Sequence, residues 1–278
     1  MTPRELIRQT AKQFLQAGIP DPETDAALLL SHLTGRPHLE LRLDTGKQLS
    51  PDTVAAYTEL ADRRLEHIPL QYLIGEAPFY RRVFLVDSRV LIPRPETELL
   101  CEWALEEMSQ FPSPRILDLC CGSGCIGITL KAERPDASVT LSDISAEALE
   151  VAASIAARIS PDISFRQGDL LEGVAPASFD FIVSNPPYIS SADCDSLQPE
   201  VMREPRLALD GGADGCDFYR RIVYEAKTVL VPGGKLMMEL GIGESAYLSS
   251  LLSGLGYSDV RVRKDYSGID RIILAVNP

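Results

Sequence analysis

The chain has 278 residues, enough for one large domain or two smaller ones, and its 45% apolar and 24% charged residues are those of a globular protein. No uninterrupted apolar stretch approaches the ~20 residues of a membrane span. The opening Met1-Thr2-Pro3-Arg4-Glu5 lacks a signal-peptide core, so a cytoplasmic protein without a membrane partner is expected. Residues 1–77 carry 8 basic and 11 acidic side chains, net −3, and the remainder carries 19 and 29, net −10; the total of −13 disfavours a broad phosphate-binding surface and makes nucleic acid a poor partner.

The first 75 or so residues predict an all-helical domain. Three helix starts share a capping side chain followed by proline: Thr2-Pro3-Arg4-Glu5, Asp21-Pro22-Glu23 and Ser50-Pro51-Asp52. Glu5 completes a capping box with Thr2. Ile7, Ala11, Phe14 and Leu15 mark one apolar face, Ala26, Leu29, Leu30 and Leu33 a second, and Val54, Tyr57, Leu60, Ala61 and Leu65 a third; Gly18 and Gly35 are stop signals. Residues 79–86 read as extended, with a hairpin bridging two domains. Pro93-Arg94-Pro95 then opens a helix that carries Trp103, the only tryptophan.

From residue 114 strands alternate with helices: strand 115–119, helix 124–131, strand 139–142, helix 145–159 capped by Ser145, strands 163–166 and 179–184, and helix 218–230. A Pro-Gly-Gly turn, strand 235–240, a helix near 245–253, a strand near 259–263 and a last strand 271–276 follow. Such alternation predicts a mostly parallel sheet covered on both faces. Residues 189–216 show no periodicity and read as a loop, expected to be a substrate-facing lid.

The six cysteines (101, 120, 121, 125, 194 and 216) form no CxxC pair, and the three histidines lie before residue 70, so no metal is expected and the thiols read as buried and reduced. Three strand ends carry candidate chemistry. Asp118-Leu119-Cys120-Cys121-Gly122-Ser123-Gly124 joins a strand to a helix N-terminus with free N–H groups. Gly122, Gly124 and Gly127 also fit the dinucleotide-binding pattern, so this loop alone does not distinguish cofactors, or exclude a tight turn without a ligand. Asp143 lies roughly 20 residues beyond the loop, where an acidic side chain accepts from ribose hydroxyls, with a helix cap as the alternative. Asp169, in Gly168-Asp169-Leu170, is placed to reach an adenine amino group. Finally, Asn185-Pro186-Pro187-Tyr188 ends the apolar strand 179–184: two prolines remove two donors and leave a rigid corner with an amide, a free carbonyl and an aromatic ring, suited to holding a planar NH2 group.

This combination resembles the class I S-adenosylmethionine-dependent methyltransferases over about residues 114–278, where Val231-Pro232-Gly233-Gly234-Lys235-Leu236 looks like the turn before their fifth strand. The resemblance implies a seven-stranded, mostly parallel, Rossmann-like α/β sheet whose last strand is antiparallel. Nearly the whole chain is similar to the HemK-type peptide chain release factor glutamine methyltransferases: the helical start, Phe79-Tyr80, Val90-Leu91-Ile92-Pro93-Arg94-Pro95-Glu96-Thr97-Glu98, Asn185-Pro186-Pro187-Tyr188, Glu204-Pro205-Arg206-Leu207-Ala208-Leu209 and Gly211-Gly212-Ala213-Asp214-Gly215. The related enzymes acting on a ribosomal protein usually have Arg-Ser-Pro where this chain has Arg94-Pro95-Glu96.

The resemblance implies a substrate-docking domain at 1–75, a hairpin linker at 76–93 and the methyltransferase domain at 94–278. S-adenosyl-L-methionine would bind Cys120, Cys121, Gly122, Ser123, Gly124, Asp143, Asp169, Leu170 and Asn185. The substrate would be the Gly-Gly-Gln glutamine of class I release factors, held by Asn185, Pro186, Pro187 and Tyr188, with Asn185, Pro186 and Tyr188 catalytic. Arg81, Arg82 and Arg94 are candidate contacts, with a solvated face as the alternative for the first two. The family usually has Gly at the position of Cys120; cysteine resists positive φ, so a different local turn is expected there. The rivals are an N6-adenine DNA methyltransferase, the ribosomal-protein enzyme, a dehydrogenase, which leaves the Pro-Pro corner unexplained, and a non-enzymatic scaffold.

Overall fold

Proline directly after a capping position starts three of the N-terminal helices. The computed structural model describes residues 1–46, 48–160 and 162–278. They form two units, Met1–Glu76 with Gln198–Arg203, and Ala77–Leu197 with Glu204–Pro278.

The first unit contains α1 (Pro3–Gln16), α2 (Pro22–Thr34), α3 (His38–Leu43), α4 (Pro51–Leu65) and α5 (Leu70–Ile74). Thr2 and Glu5 close the expected capping box, and Ser50 caps α4. Asp21 precedes α2 but its side chain makes no cap hydrogen bond; at φ −117° and ψ 60° its backbone is not in the usual capping conformation. Phe14, Leu29, Leu30, Leu41 and Tyr57 are fully buried in one core, and Tyr57 donates its hydroxyl to the Ala26 carbonyl at 3.0 Å. Leu15, expected on the inner face of α1, is 67% exposed. The stripe runs instead through Leu6, Ile7, Ala11 and Phe14, and Leu15 lies just beyond its edge.

Arg64 on α4 ties the distant segment Gln198–Arg203 to this unit. Its side chain is 4% exposed and pairs with Asp25 at 2.8 Å and with Glu200 at 2.9 Å. Glu200 also meets His67 Nδ1 at 2.9 Å, and Arg203 donates to the Glu66 carbonyl at 2.8 Å.

The second unit opens with a hairpin, β1 (Glu76–Phe79) and β2 (Arg82–Leu85). Its turn residues Tyr80 (φ 45°) and Arg81 (φ 62°) are both left-handed, as a two-residue hairpin turn requires. Then follow α6 (Pro95–Met108), β3 (Arg115–Leu119), α7 (Cys125–Glu133), β4 (Ser138–Asp143), α8 (Ala146–Ile159), β5 (Ser164–Gln167), β6 (Phe179–Ser184), α9 (Ser191–Cys194), α10 (Asp217–Val229), β7 (Leu230–Glu239), α11 (Ser245–Gly254), β8 (Ser258–Lys264) and β9 (Asp270–Val276). The seven-stranded sheet has the order β5-β4-β3-β6-β7-β9-β8. β9 runs antiparallel to both neighbours and the other pairs are parallel, as expected. The strand order reverses between β3 and β6, which places a crevice at their C-terminal ends.

Two expectations change. Residues 231–234 are not a turn between elements but a bulged excursion inside β7: Leu230 pairs with Phe179, and Lys235 with Phe181. Backbone bonds of 2.8 Å between Gly233 and Asn277, and between Asn277 and Gly234, stitch the bulge to the end of the chain. The irregular stretch 189–216 contains α9 and two 3-10 turns, Val201–Arg203 and Arg206–Ala208. They are too short to show a period in sequence.

Replacing Arg64 strands the buried Asp25 carboxylate and takes one of two partners from Glu200. Arg64→Leu is expected to destabilise the helical unit by about 3–5 kcal/mol, read from the shift of its urea unfolding midpoint.

Candidate active site

Backbone geometry at the sheet's C-terminal edge builds the site. β3 ends in a loop that turns into α7, and the Ser123 and Cys125 N–H groups have no hydrogen-bond partner among the described residues. Those are the free donors of a helix N-terminus. Gly124, just below, does not line the cavity. It takes φ 76° and donates to the Cys121 carbonyl at 2.7 Å, and a Cβ there would stand 2.8 Å from Leu141 Cδ1.

A cavity of about 470 Å³ lies over these ends, lined by Cys120, Cys121, Gly122, Ser123, Asp143, Gly168, Asp169, Leu170, Asn185 and Pro187, with Pro205–Ala208 on another side. Asp143 accepts from the Gly122 N–H at 2.8 Å and from the Ser145 N–H at 2.9 Å, and burial raises its carboxyl. It shapes the loop whose ligand it is expected to bind, while Ser145 caps α8. Asp169 pairs through Oδ2 with Arg221 at 2.9 Å. Leu170 is buried at φ 46°, and its carbonyl accepts from Arg166 at 2.8 Å.

Asn185 follows the last pair of the β6–β7 ladder, Ser184 with Met238. Its Nδ2 donates to Thr97 Oγ1 at 3.2 Å. Neither Asn185 Oδ1 nor the Pro186 carbonyl accepts a hydrogen bond from the described residues. Pro186 is buried, and Tyr188 is half-buried against the core under α10 and β7, where burial raises its hydroxyl far above the ordinary tyrosine range. Neither lines the cavity as a wall residue. The segment 211–215 packs beneath Tyr188: Gly215 takes φ 78°, and any Cβ there would collide with the Tyr188 carbonyl.

Three site residues carried no role in the sequence reading. Asp118 is fully buried; Oδ2 accepts from the Gly127 N–H at 2.7 Å, Oδ1 has no partner among the described residues, and burial pushes the carboxyl up to about 7. Glu239 at the end of β7 is 1% exposed and accepts from Thr97 Oγ1 at 2.6 Å. The available signal was an acid inside an apolar strand, in Ile116-Leu117-Asp118-Leu119 and Met237-Met238-Glu239-Leu240. Glu204 anchors the Pro205–Ala208 wall, accepting from the Ile92 N–H at 3.0 Å and pairing with Arg94 at 2.5 Å. Among the described residues no group of three His, Cys, Asp or Glu side chains is arranged to hold a metal, and no helix is long and apolar enough to cross a membrane.

Sheet order and cavity together define an α/β methyltransferase. Residues 96–241 match the methyltransferase small domain family and residues 5–75 the PrmC N-terminal domain family. A methyltransferase structure from Pyrococcus furiosus superposes with a TM-score of 0.52 at 18% identity, covering 70% of this chain and 88% of its own, a likeness of fold alone. The release factor glutamine methyltransferase of Deinococcus radiodurans is 41% identical over 98% of this chain and 97% of its own length. That of Chlorobaculum tepidum is 42% identical over 96% and 94%. The chain belongs to the release factor glutamine methyltransferase family.

Cys120 corrects one expectation. The loop does not avoid the left-handed conformation: Cys120 adopts φ 57° despite its Cβ. Neighbouring bonds over-determine it, with the Leu119 carbonyl accepting from Ser184 Oγ at 2.6 Å and the Cys121 N–H donating to the Ser142 carbonyl at 3.1 Å. A β-branched side chain tolerates this φ worst. Cys120→Val is expected to lose about 1–2 kcal/mol and Cys120→Gly less, checked by comparing their unfolding midpoints.

Proposed function

We propose that this protein transfers the methyl group of S-adenosyl-L-methionine to the side-chain N5 of the glutamine in the Gly-Gly-Gln motif of class I peptide chain release factors, acting in the cytoplasm and leaving S-adenosyl-L-homocysteine. The observation that carries the reading is the pair of unoccupied acceptors, Asn185 Oδ1 and the Pro186 carbonyl, at one rigid corner beside the cavity. A primary amide has two N–H groups in one plane, and two fixed acceptors match them. Family membership supports the substrate.

The cavity residues fit the cofactor. Unpartnered N–H groups at the start of α7 suit a carboxylate, Asp143 suits ribose hydroxyls, and the Asp169 oxygen left free by Arg221 suits an amino group. When bound, the cofactor supplies a methyl group activated on a sulfonium. The protein's own work is orientation. An amide nitrogen is a poor nucleophile because its lone pair is delocalised, and positioning contributes about 7–11 kcal/mol in favourable intramolecular cases. Hydrogen bonds from the amide N–H groups to Asn185 and Pro186 push density onto nitrogen and strengthen as positive charge develops there. In this reading Tyr188 packs beside the amide and fixes its plane, and the proton leaves to water after transfer. The helical unit and the 189–216 segment are assigned to gripping the release factor.

Labelled methyl transfer to an unmethylated class I release factor tests the reading, with the glutamine-to-alanine factor and duplex DNA in parallel. Label on the intact factor alone is expected; label on DNA instead moves the protein to the amino-base methyltransferases. Asn185→Ala should cut turnover at least tenfold with little change in cofactor binding by calorimetry, and near-normal turnover would remove Asn185 from its role.

A further inference from the structure

An asparagine amide is useful as an acceptor only if its oxygen faces the substrate. Rotated by half a turn, Asn185 would present NH2 to the NH2 of the incoming glutamine, donor against donor. Three groups in contact set this orientation. Glu239 Oε2 and Thr97 Oγ1 are 2.6 Å apart, and Thr97 Oγ1 and Asn185 Nδ2 are 3.2 Å apart. A threonine hydroxyl has one proton. Beside an ionised carboxylate that proton goes to Glu239, so only lone pairs of Oγ1 face Asn185, and the group they select is Nδ2.

We propose that Thr97 and Glu239 are positioning residues that act through Asn185, holding its amide with the oxygen turned toward the substrate nitrogen. The inference rests on the role given to Asn185 above and adds what sets its direction. It also gives Glu239 a use, since a carboxylate buried to 1% exposure carries a desolvation cost that one hydroxyl hydrogen bond offsets only in part.

The arrangement is sensitive to protonation. Once protonated, Glu239 donates to Thr97, the hydroxyl proton of Thr97 turns to Asn185, and the acceptor that answers it is Oδ1. The amide is then reversed. Burial pushes the Glu239 carboxyl up to about 7; the Thr97 hydrogen bond, Arg271 on β9 and Arg94 oppose that rise, and Glu96 adds to it. Tyr188, Cys125 on α7 and Tyr219 on α10 complete the titratable groups around it, and Tyr219 donates its hydroxyl to the Glu239 carbonyl at 2.8 Å. The ionised form is the competent one, so turnover at saturating substrate rises with pH through this ionisation, about tenfold per unit on its acid side.

Two readouts test the proposal on the full chain. In the first, the 15N-labelled side-chain amide of Asn185 is followed by NMR, with no substrate needed. One slowly exchanging Nδ2 proton is expected, lost in Thr97→Val and kept in Thr97→Ser; a signal indifferent to Thr97→Val overturns the proposal. In the second, methyl transfer to the release factor is measured against pH. Thr97→Val should lower kcat at least tenfold with KM and cofactor affinity within about threefold of the parent, Thr97→Ser should restore it, and Glu239→Gln should lose the acid limb. A kcat for Thr97→Val within threefold of the parent, or an acid limb that persists in Glu239→Gln, overturns the proposal. A parent enzyme that leaves glutamine unlabelled overturns the substrate reading instead, and the NMR signal still decides the orientation.

Discussion

Two consecutive prolines at the end of a buried central strand are the constraint on which the site depends. β6 lies between β3 and β7 and is paired on both sides from Phe181 to Ser184. Pro186 and Pro187 have no N–H to continue either ladder. The chain leaves the sheet there, and the Pro186 carbonyl accepts no hydrogen bond from the described residues. It does so at the point where the strand order reverses. Proline supplies the rigidity of the corner, and its missing N–H ends the strand's pairing there.

The strand ends next to that corner bury acids rather than avoid them. Asp118 is the next-to-last residue of β3, Asp143 ends β4 and Glu239 ends β7, and burial raises the carboxyl of each. Each keeps a hydrogen bond from its surroundings: Gly127 and Gly122 backbone donors in the first two cases, Thr97 in the third. A buried acid with few donors is costly, and three of them lie at the same end of the sheet, on β3, β4 and β7. The glycines share this logic. A Cβ on Gly127 would stand 3.0 Å from Asp118 Oδ2, so the close approach that lets the backbone serve this acid requires its absence.

Much of this was legible in the sequence because it is local. Caps, prolines and periodicity gave helices starting at Pro3, Pro22 and Pro51, alternation gave a mostly parallel sheet, and the family resemblance gave its antiparallel last strand. The loop after β3, Asp143 and Asp169 were each recognisable within a few residues of a strand end. What escaped were contacts between distant positions. Thr97 and Glu239 are separated by 142 residues and Thr97 and Asn185 by 88, and no spacing rule connects them. Local reasoning also failed where several bonds outvote one preference. Cys120 takes a backbone angle its Cβ opposes, and Pro232-Gly233-Gly234, which reads as a turn, stays inside a strand because Asn277 pairs with it.

The same distinction bears on the role proposed above for Asn185-Pro186-Pro187-Tyr188. The four residues supply the acceptors and the corner, but an amide side chain has two nearly isosteric orientations, and nothing within the motif chooses between them. The choice must come from a hydrogen-bond partner of fixed polarity. A hydroxyl alone has no fixed polarity, since it donates or accepts as its neighbours require. A hydroxyl held against a carboxylate has one, and that carboxylate must lie on the strand beside the motif, where side chains at the same level meet. β7 is that strand: Met238 is the register partner of Ser184, the residue before Asn185, and Glu239 is the next residue along. The parallel pairing of β6 with β7 thus places the group that sets the polarity at the level of the group that uses it, and α6 inserts Thr97 between them.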